Sequence, residues 1–191
     1  MLEYMSDKIA RILVSQKIIS DCDLDVYAYG LALLLSFFFN TVIMFIIGII
    51  THRLVETILF LIVFVILRSF SGGYHADTFL KCMIITFSTY ALVISLSAVK
   101  VSLIVYLAVL FAGFFIILVK APIEHPNKEI SACDKKRHKL SSIVLYAAFS
   151  GLGVILDNYN TRLKSTIFFA LLTVIVLLFI KESTKGDAQN G

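Results

Sequence analysis

The chain has 191 residues, of which 59% are hydrophobic and 16% are charged, and its formal net charge is +4. Soluble domains carry roughly 25% charged residues, so this composition excludes an ordinary soluble protein and indicates a membrane protein. The cysteines Cys22, Cys82 and Cys133 are odd in number and form no CxxC pair, which argues against a disulfide framework.

The first predicted element is an amphipathic helix in the segment EYMSDKIARILVSQKII. Apolar side chains recur at helical spacing, with basic and amide side chains between them: Met5, Ile9, Ile12, Leu13 and Ile19 against Lys8, Arg11 and Gln16. This spacing favours a helix that lies in the interface of an anionic leaflet, and an ordinary packing helix at the bundle edge is the alternative. Residues 1–28 mix charged and apolar residues throughout, so they do not predict a cleavable signal peptide.

Six apolar runs follow, and they predict an all-α, polytopic membrane helix bundle of about six transmembrane helices: Tyr29–Ile50, Leu54–Leu67, Met83–Val99, Val101–Val119, Leu140–Leu156 and Ser165–Ile180. A span needs about 20 residues, so the second run must borrow length from its flank at residues 68–70. Lys100 separates the third run from the fourth in a tight hairpin. We predict one membrane domain over residues 1–191, with an interfacial segment (1–28), a bundle (29–180) and a cytoplasmic tail (181–191).

The distribution of lysine and arginine predicts the orientation of the spans. The N-terminal segment, every second loop and the C-terminal tail together hold thirteen of the seventeen Lys and Arg residues. The positive-inside rule places this richer set in the cytoplasm, so we expect both termini and residues 68–82 on that side. A four-span arrangement with re-entrant short runs remains an alternative.

The segment RSFSGGYHADTFLKC, residues 68–82, interrupts the apolar runs with polar groups suited to catalysis. A catalytic cysteine attacks as its thiolate, which a nearby histidine can generate. On one straight helix His75 and Cys82 would lie roughly 10 Å apart along the axis, too far for a hydrogen bond of about 3 Å. Asp77 could cap a helix that runs through TFLKC, and Gly72 and Gly73 could let the chain fold His75 back onto Cys82.

Each of these residues also has an ordinary structural interpretation. A cysteine at the end of a span is usually a small buried hydrophobe, and a glycine pair is often only a turn. Taken together, the residues make a cysteine hydrolase or acyl transferase as good an interpretation as the structural one. His125, Cys133 and His138 match no standard zinc spacing, so we predict no metal and no cofactor. The run DKKRHK indicates a basic segment facing lipid head groups, and we expect no nucleic-acid partner.

The segments RSFSGGYHADTFLKC and KAPIEHPNK (residues 120–128) resemble motifs of the accessory gene regulator B (AgrB) family. This resemblance implies a bacterial membrane peptidase of quorum sensing. Such an enzyme removes the C-terminal tail of a short precursor of the accessory gene regulator D type and helps to cyclise the rest into a thiolactone, or sometimes a lactone. By motif position Cys82 would be the nucleophile and His75 its base, and Arg68 and Gly73 match positions that look functionally important in the family.

Several roles remain open at this level. Backbone N–H groups near Gly72 and Gly73, or Arg68, could stabilise the oxyanion, and Asp77 could orient His75 instead of capping a helix. Arg68 could equally bind the acidic tail of the precursor or reach lipid phosphate. A homodimer also stays open, because small bundles with polar loops often pair. The alternatives to an enzyme are a small membrane transporter and a non-enzymatic membrane partner protein.

Overall fold

The computed structural model describes residues 2–71, 79–120 and 132–189, and within them every regular element is helical. A short 3-10 helix covers Asp21–Asp23. The same ranges contain seven α-helices: α1 (Leu2–Ser15), α2 (Leu24–Ile50), α3 (Leu54–Ser71), α4 (Phe79–Leu96), α5 (Leu103–Lys120), α6 (Ala132–Asp157) and α7 (Thr161–Gln189). The all-α prediction is therefore confirmed.

Among the described residues, five helical segments are long and apolar enough to cross a membrane: Asp21–Ile50, Leu54–Ser71, Leu103–Lys120, Asp134–Asp157 and Thr161–Leu178. The remaining predicted span, Met83–Val99, corresponds to α4, whose apolar part, Leu80–Leu96, is shorter. As predicted, α3 takes its missing length from residues 68–70, and Lys100 lies in the connection between α4 and α5. Large apolar side chains such as Ile104 and Phe111 are exposed on the helices, as expected where lipid replaces water.

The chain divides into two compact units. The first comprises Met1–Ile47 and Ala76–Ser88, and the second comprises Gly48–His75 and Thr89–Gly191. The single membrane domain over residues 1–191 remains a prediction.

In the first unit, α1 has the predicted amphipathic character. It buries the small residues Ser6 and Ala10 and leaves Met5, Ile9 and Ile12 exposed. These three side chains follow helical spacing, so they form one apolar stripe along the helix. The placement of this stripe in a membrane interface remains a prediction.

In the second unit, α7 packs against α3, α5 and α6, and α6 also packs against α3 and α5. The core between these helices is built from fully buried apolar side chains: Phe60, Val63 and Leu67 of α3 with Ile167, Leu171 and Leu178 of α7. At the start of α7, the Asn160 side chain accepts a hydrogen bond from the N–H of Arg162 (2.9 Å), which is the geometry of a helix N-cap.

Contacts within the second unit join helix ends that a six-span topology assigns to the same side. The Ser165 hydroxyl at the start of α7 donates to the carbonyl of Val99 in the α4–α5 connection (2.7 Å). At the opposite ends of their helices, Phe70 of α3 and His138 of α6 place their rings 5.7 Å apart. Both contacts agree with the predicted order of the spans, and the six-span topology remains a prediction.

Candidate functional site

Cys82 is the fourth residue of the described helix α4, which begins at Phe79. Its thiol is free and half-buried, and its carbonyl accepts a hydrogen bond from the Thr86 hydroxyl (2.9 Å). The predicted helix through residues 79–82 into the third apolar run is present, and it places Cys82 near the start of that helix.

Arg68 lies in the last turn of α3, half-buried against the aromatic core of the second unit. Its guanidinium carbon is 5.3 Å from the centre of the Phe64 ring, within the range of a cation–π contact. Phe64 is only 2% exposed, so Arg68 covers one edge of the core with its side chain. The residue thus has a packing role in addition to the substrate or lipid roles expected from the sequence.

The other predicted site residues are His75, Gly72, Gly73 and Asp77, and they lie outside the described residues. The return of His75 onto Cys82, the glycine turn and the Asp77 cap therefore remain predictions. Cys82 belongs to the first unit and Arg68 to the second.

The basic segment of α6, Asp134–Lys139, occupies the first turns of that helix. Its Lys136, Arg137 and Lys139 side chains are exposed, whereas His138 is half-buried against Phe70. Within residues 2–71, 79–120 and 132–189, no three His, Cys, Asp or Glu side chains are grouped to hold a metal ion. His125 lies outside these ranges, and the His138 ring is engaged in an aromatic contact.

Arg53 has a structural role that its sequence context did not predict, since there it contributed only a positive charge. Nη1 of Arg53, in the connection between α2 and α3, donates to the carbonyl of Ile94 (2.7 Å) and to the hydroxyl of Ser97 (3.0 Å). The signal in the sequence is a single arginine between two spans on the side where basic residues are rare.

Comparison with known proteins gives a consistent family assignment. The sequence model of the AgrB family, described as accessory gene regulator B, matches residues 6–180. An AgrB-like protein of Clostridium perfringens (strain SM101 / Type A) is 29% identical over 182 residues, which covers 85% of each chain. The accessory gene regulator protein B of Staphylococcus lugdunensis is 26% identical over 157 residues, covering 81% of this chain and 84% of the relative. No solved structure gives a significant match.

Proposed function

Because the chain belongs to the accessory gene regulator B family, we propose that it is a membrane cysteine endopeptidase that processes an autoinducing-peptide precursor in quorum sensing. The observation that carries the proposal is the family match over residues 6–180, which includes all of the predicted site residues. The free, half-buried thiol of Cys82 at the start of α4 supports this role, because a nucleophile must be accessible yet shielded from bulk water.

In the first step, the Cys82 thiolate attacks the carbonyl carbon of the peptide bond that precedes the C-terminal tail. The tetrahedral intermediate collapses, the C–N bond breaks, and His75 protonates the departing amine. The precursor is then held on Cys82 as a thioester. Backbone N–H groups near Gly72 and Gly73, or the Arg68 guanidinium, stabilise the oxyanion.

In the second step, a cysteine thiol within the precursor attacks the carbonyl carbon of this thioester. A new C–S bond forms, the Cys82 sulfur leaves, and the proton of the attacking thiol returns to the enzyme. One thioester replaces another, so the exchange is close to neutral in energy and needs no ATP. Closure of the ring within one bound chain gains from effective concentration, provided that water is kept away from the thioester.

The proposed setting is a bacterial cell membrane that the chain crosses several times, with both termini and residues 68–82 in the cytoplasm. A precursor of the accessory gene regulator D type would carry an amphipathic N-terminal helix. The apolar stripe of Met5, Ile9 and Ile12 on α1 is suited to bind such a helix in the plane of the membrane surface.

The test is co-expression of the full chain with its precursor and measurement of tail release by mass spectrometry. Cys82→Ala and His75→Ala should abolish tail release, whereas Cys22→Ala should process like the wild type, because Cys22 is an exposed free cysteine away from both motifs. A precursor adduct on Cys82 that hydroxylamine removes would identify the thioester. Full processing by Cys82→Ala would end the peptidase proposal and favour a non-enzymatic role in the membrane.

A further inference from the structure

The C-terminal end of α4 is capped by Arg53, which lies in the connection between α2 and α3. Nη1 of Arg53 donates to the carbonyl of Ile94 and to the hydroxyl of Ser97, and the Ser97 hydroxyl itself donates to Ile94 (2.7 Å). A cation at a helix C-terminus pairs with carbonyls that lack a partner within the helix and with the negative end of the helix dipole. Arg53 is thereby bound to the last turn of α4.

The backbone of Arg53 is itself held in place. Its N–H donates to the carbonyl of Gly48 (2.8 Å), while its own carbonyl accepts from the N–H and the hydroxyl of Thr57 (3.0 and 2.9 Å). The preceding residue, His52, has a φ of 55° and donates to Ile49 (3.1 Å), which completes a Schellman motif at the end of α2. Both flanking helices therefore fix the backbone from which the Arg53 side chain reaches α4.

Two further contacts attach the same part of α4 and the residues that follow it. The Tyr90 hydroxyl shares a hydrogen bond with the Thr57 hydroxyl (2.9 Å), one helical turn before Ile94. The carbonyl of Val99, just after the helix, accepts from Ser165 of α7 (2.7 Å). Contacts at Tyr90 and Ile94 restrict both rotation of the helix about its axis and sliding along it.

α4 is short for a helix that would cross a bilayer, and it has 18 residues, as do α3 and α5. Its apolar part, Leu80–Leu96, would be about 26 Å long, shorter than the roughly 30 Å hydrocarbon core of a bilayer. When a helix is shorter than the bilayer is thick, its depth and tilt depend on packing contacts and anchoring residues. The polar contacts of Arg53 and Tyr90 supply these anchors for α4.

The opposite end of this helix carries the proposed nucleophile. Cys82 precedes Ile94 by twelve residues of continuous helix, or about 18 Å along the axis. A helix transmits a shift or rotation along its length, so a change at its last turn changes the depth of Cys82.

We propose that Arg53 is a positioning residue, which sets the depth and orientation of the Cys82 thiol by capping the distant end of α4. The catalytic consequence rests on the proposed function, whereas the mechanical link between the two residues does not. Arg53 touches neither the precursor nor the thiol in this role.

The experiment uses the full chain with Cys22→Ser and Cys133→Ser, which leaves Cys82 as the single thiol. The protein is placed in vesicles of phosphatidylcholine and phosphatidylglycerol. A nitroxide label on Cys82 reports depth through its collisions with oxygen and with a water-soluble nickel chelate, and unlabelled protein reports the rate of thiol alkylation. Arg53→Met is compared with Arg162→Met, a matched control, because Arg162 is exposed near the start of α7 and its guanidinium makes no described hydrogen bond.

We expect Arg53→Met to move the label by about one helical rise, 1.5 Å, or more, and to change the alkylation rate. Arg162→Met should have the label depth and alkylation rate of the parent protein. Arg53→Lys retains the charge, so its values should lie between those of the parent and of Arg53→Met. Tail release with a co-expressed precursor should fall by about 10- to 100-fold in Arg53→Met, since a misplacement near 1 Å can have that effect.

An unchanged label depth together with an unchanged alkylation rate in Arg53→Met would overturn the proposal, whatever happens to processing. If Arg53→Met does not fold, Ser97→Ala removes one of the two bonds to Arg53, and the absence of any shift in that variant and in Arg53→Lys has the same consequence. If Cys82→Ala still processes the precursor, the peptidase proposal fails, but the depth of the label still decides whether Arg53 positions α4.

Discussion

Tyr106 and Tyr146 make reciprocal hydrogen bonds across the interface between α5 and α6. The Tyr106 hydroxyl donates to the carbonyl of Ser150 (2.8 Å), and the Tyr146 hydroxyl donates to the carbonyl of Leu110 (3.1 Å). Each accepting carbonyl lies three residues before a glycine, Gly153 or Gly113. A Cβ at Gly153 would collide with the Tyr106 hydroxyl, and one at Gly113 would collide with the Tyr146 hydroxyl. The two glycines therefore make room for the two tyrosines.

Gly153→Ala should destabilise the protein by about 1–3 kcal/mol, because the added methyl group overpacks the site of the Tyr106 hydroxyl. The measurement is the free energy of unfolding in detergent micelles. Gly151→Ala is a matched control, since a Cβ there meets no atom within 4 Å and alanine favours the helix. Equal stability of the two alanine variants would contradict the role assigned to Gly153.

Tyr106→Phe should cost about 0.6 kcal/mol, and at most about 1.7 kcal/mol, the range found for hydrogen bonds between membrane helices. The ring can stay in place against Phe168, at 5.7 Å, so mainly the hydroxyl bond is lost. A double-mutant cycle of Tyr106→Phe and Gly153→Ala in the same unfolding assay gives the coupling free energy between the two positions. Removal of the hydroxyl should relieve part of the collision with the alanine methyl, and strictly additive losses would argue against direct contact.

Removal of one partner of the ion pair between Lys164 and Asp157 should destabilise the protein strongly. Nζ of Lys164 lies 2.8 Å from Oδ1 of Asp157, and the lysine side chain is only 4% exposed. Asp157→Asn should therefore destabilise the protein by about 3 kcal/mol, because it leaves a buried charge without its carboxylate partner. The double variant Lys164→Met with Asp157→Asn should recover much of this loss in thermal unfolding. A double variant as unstable as Asp157→Asn alone would show that the unpaired charge is not the cause.

Lys17→Gly should stabilise the protein by about 1 kcal/mol. Lys17 has a φ of 57° just after α1, where Ile18 donates to Leu13 (3.0 Å) and Lys17 donates to Val14 (2.8 Å) in a Schellman motif. Glycine adopts this conformation without the steric cost that a side chain brings. Lys8→Gly, inside α1, is the control and should destabilise by a similar amount. In detergent, the midpoint of thermal unfolding should rise in Lys17→Gly and fall in Lys8→Gly.

Loss of the apolar stripe on α1 should abolish precursor processing while the chain still inserts into the membrane. Deletion of residues 1–18 tests this broadly, and Ile9→Ser with Ile12→Ser tests the exposed stripe alone. Ser15→Ala, on the same helix but outside the stripe, should process normally. Tail release and membrane fractionation are measured together, and normal processing by the deletion would contradict a docking role for α1.

Local patterns predicted the apolar parts of the helices but not all of their limits, since α6 begins at Ala132 and α7 continues to Gln189. Each of the six apolar runs lies mostly on a helix, and the extra turn expected at the end of α3 is present, because lipid requires a certain length of apolar helix. The helix leading from residue 79 through Cys82 was likewise predictable from its local sequence. The distance between His75 and Cys82 does not follow from local sequence, because it depends on the path of the chain through residues 72–78.

The sequence by itself predicted the membrane character of the protein, the approximate positions of its apolar helices, and the segment where chemistry is expected. These properties follow from the composition and spacing of residues that are close together in the chain. The tertiary structure decided the roles of Arg53, Tyr106 and Tyr146, whose partners lie 41 to 44, 44 and 36 residues away. Only the packing of helices brings such distant groups within hydrogen-bonding distance, so no local pattern could have identified these partners.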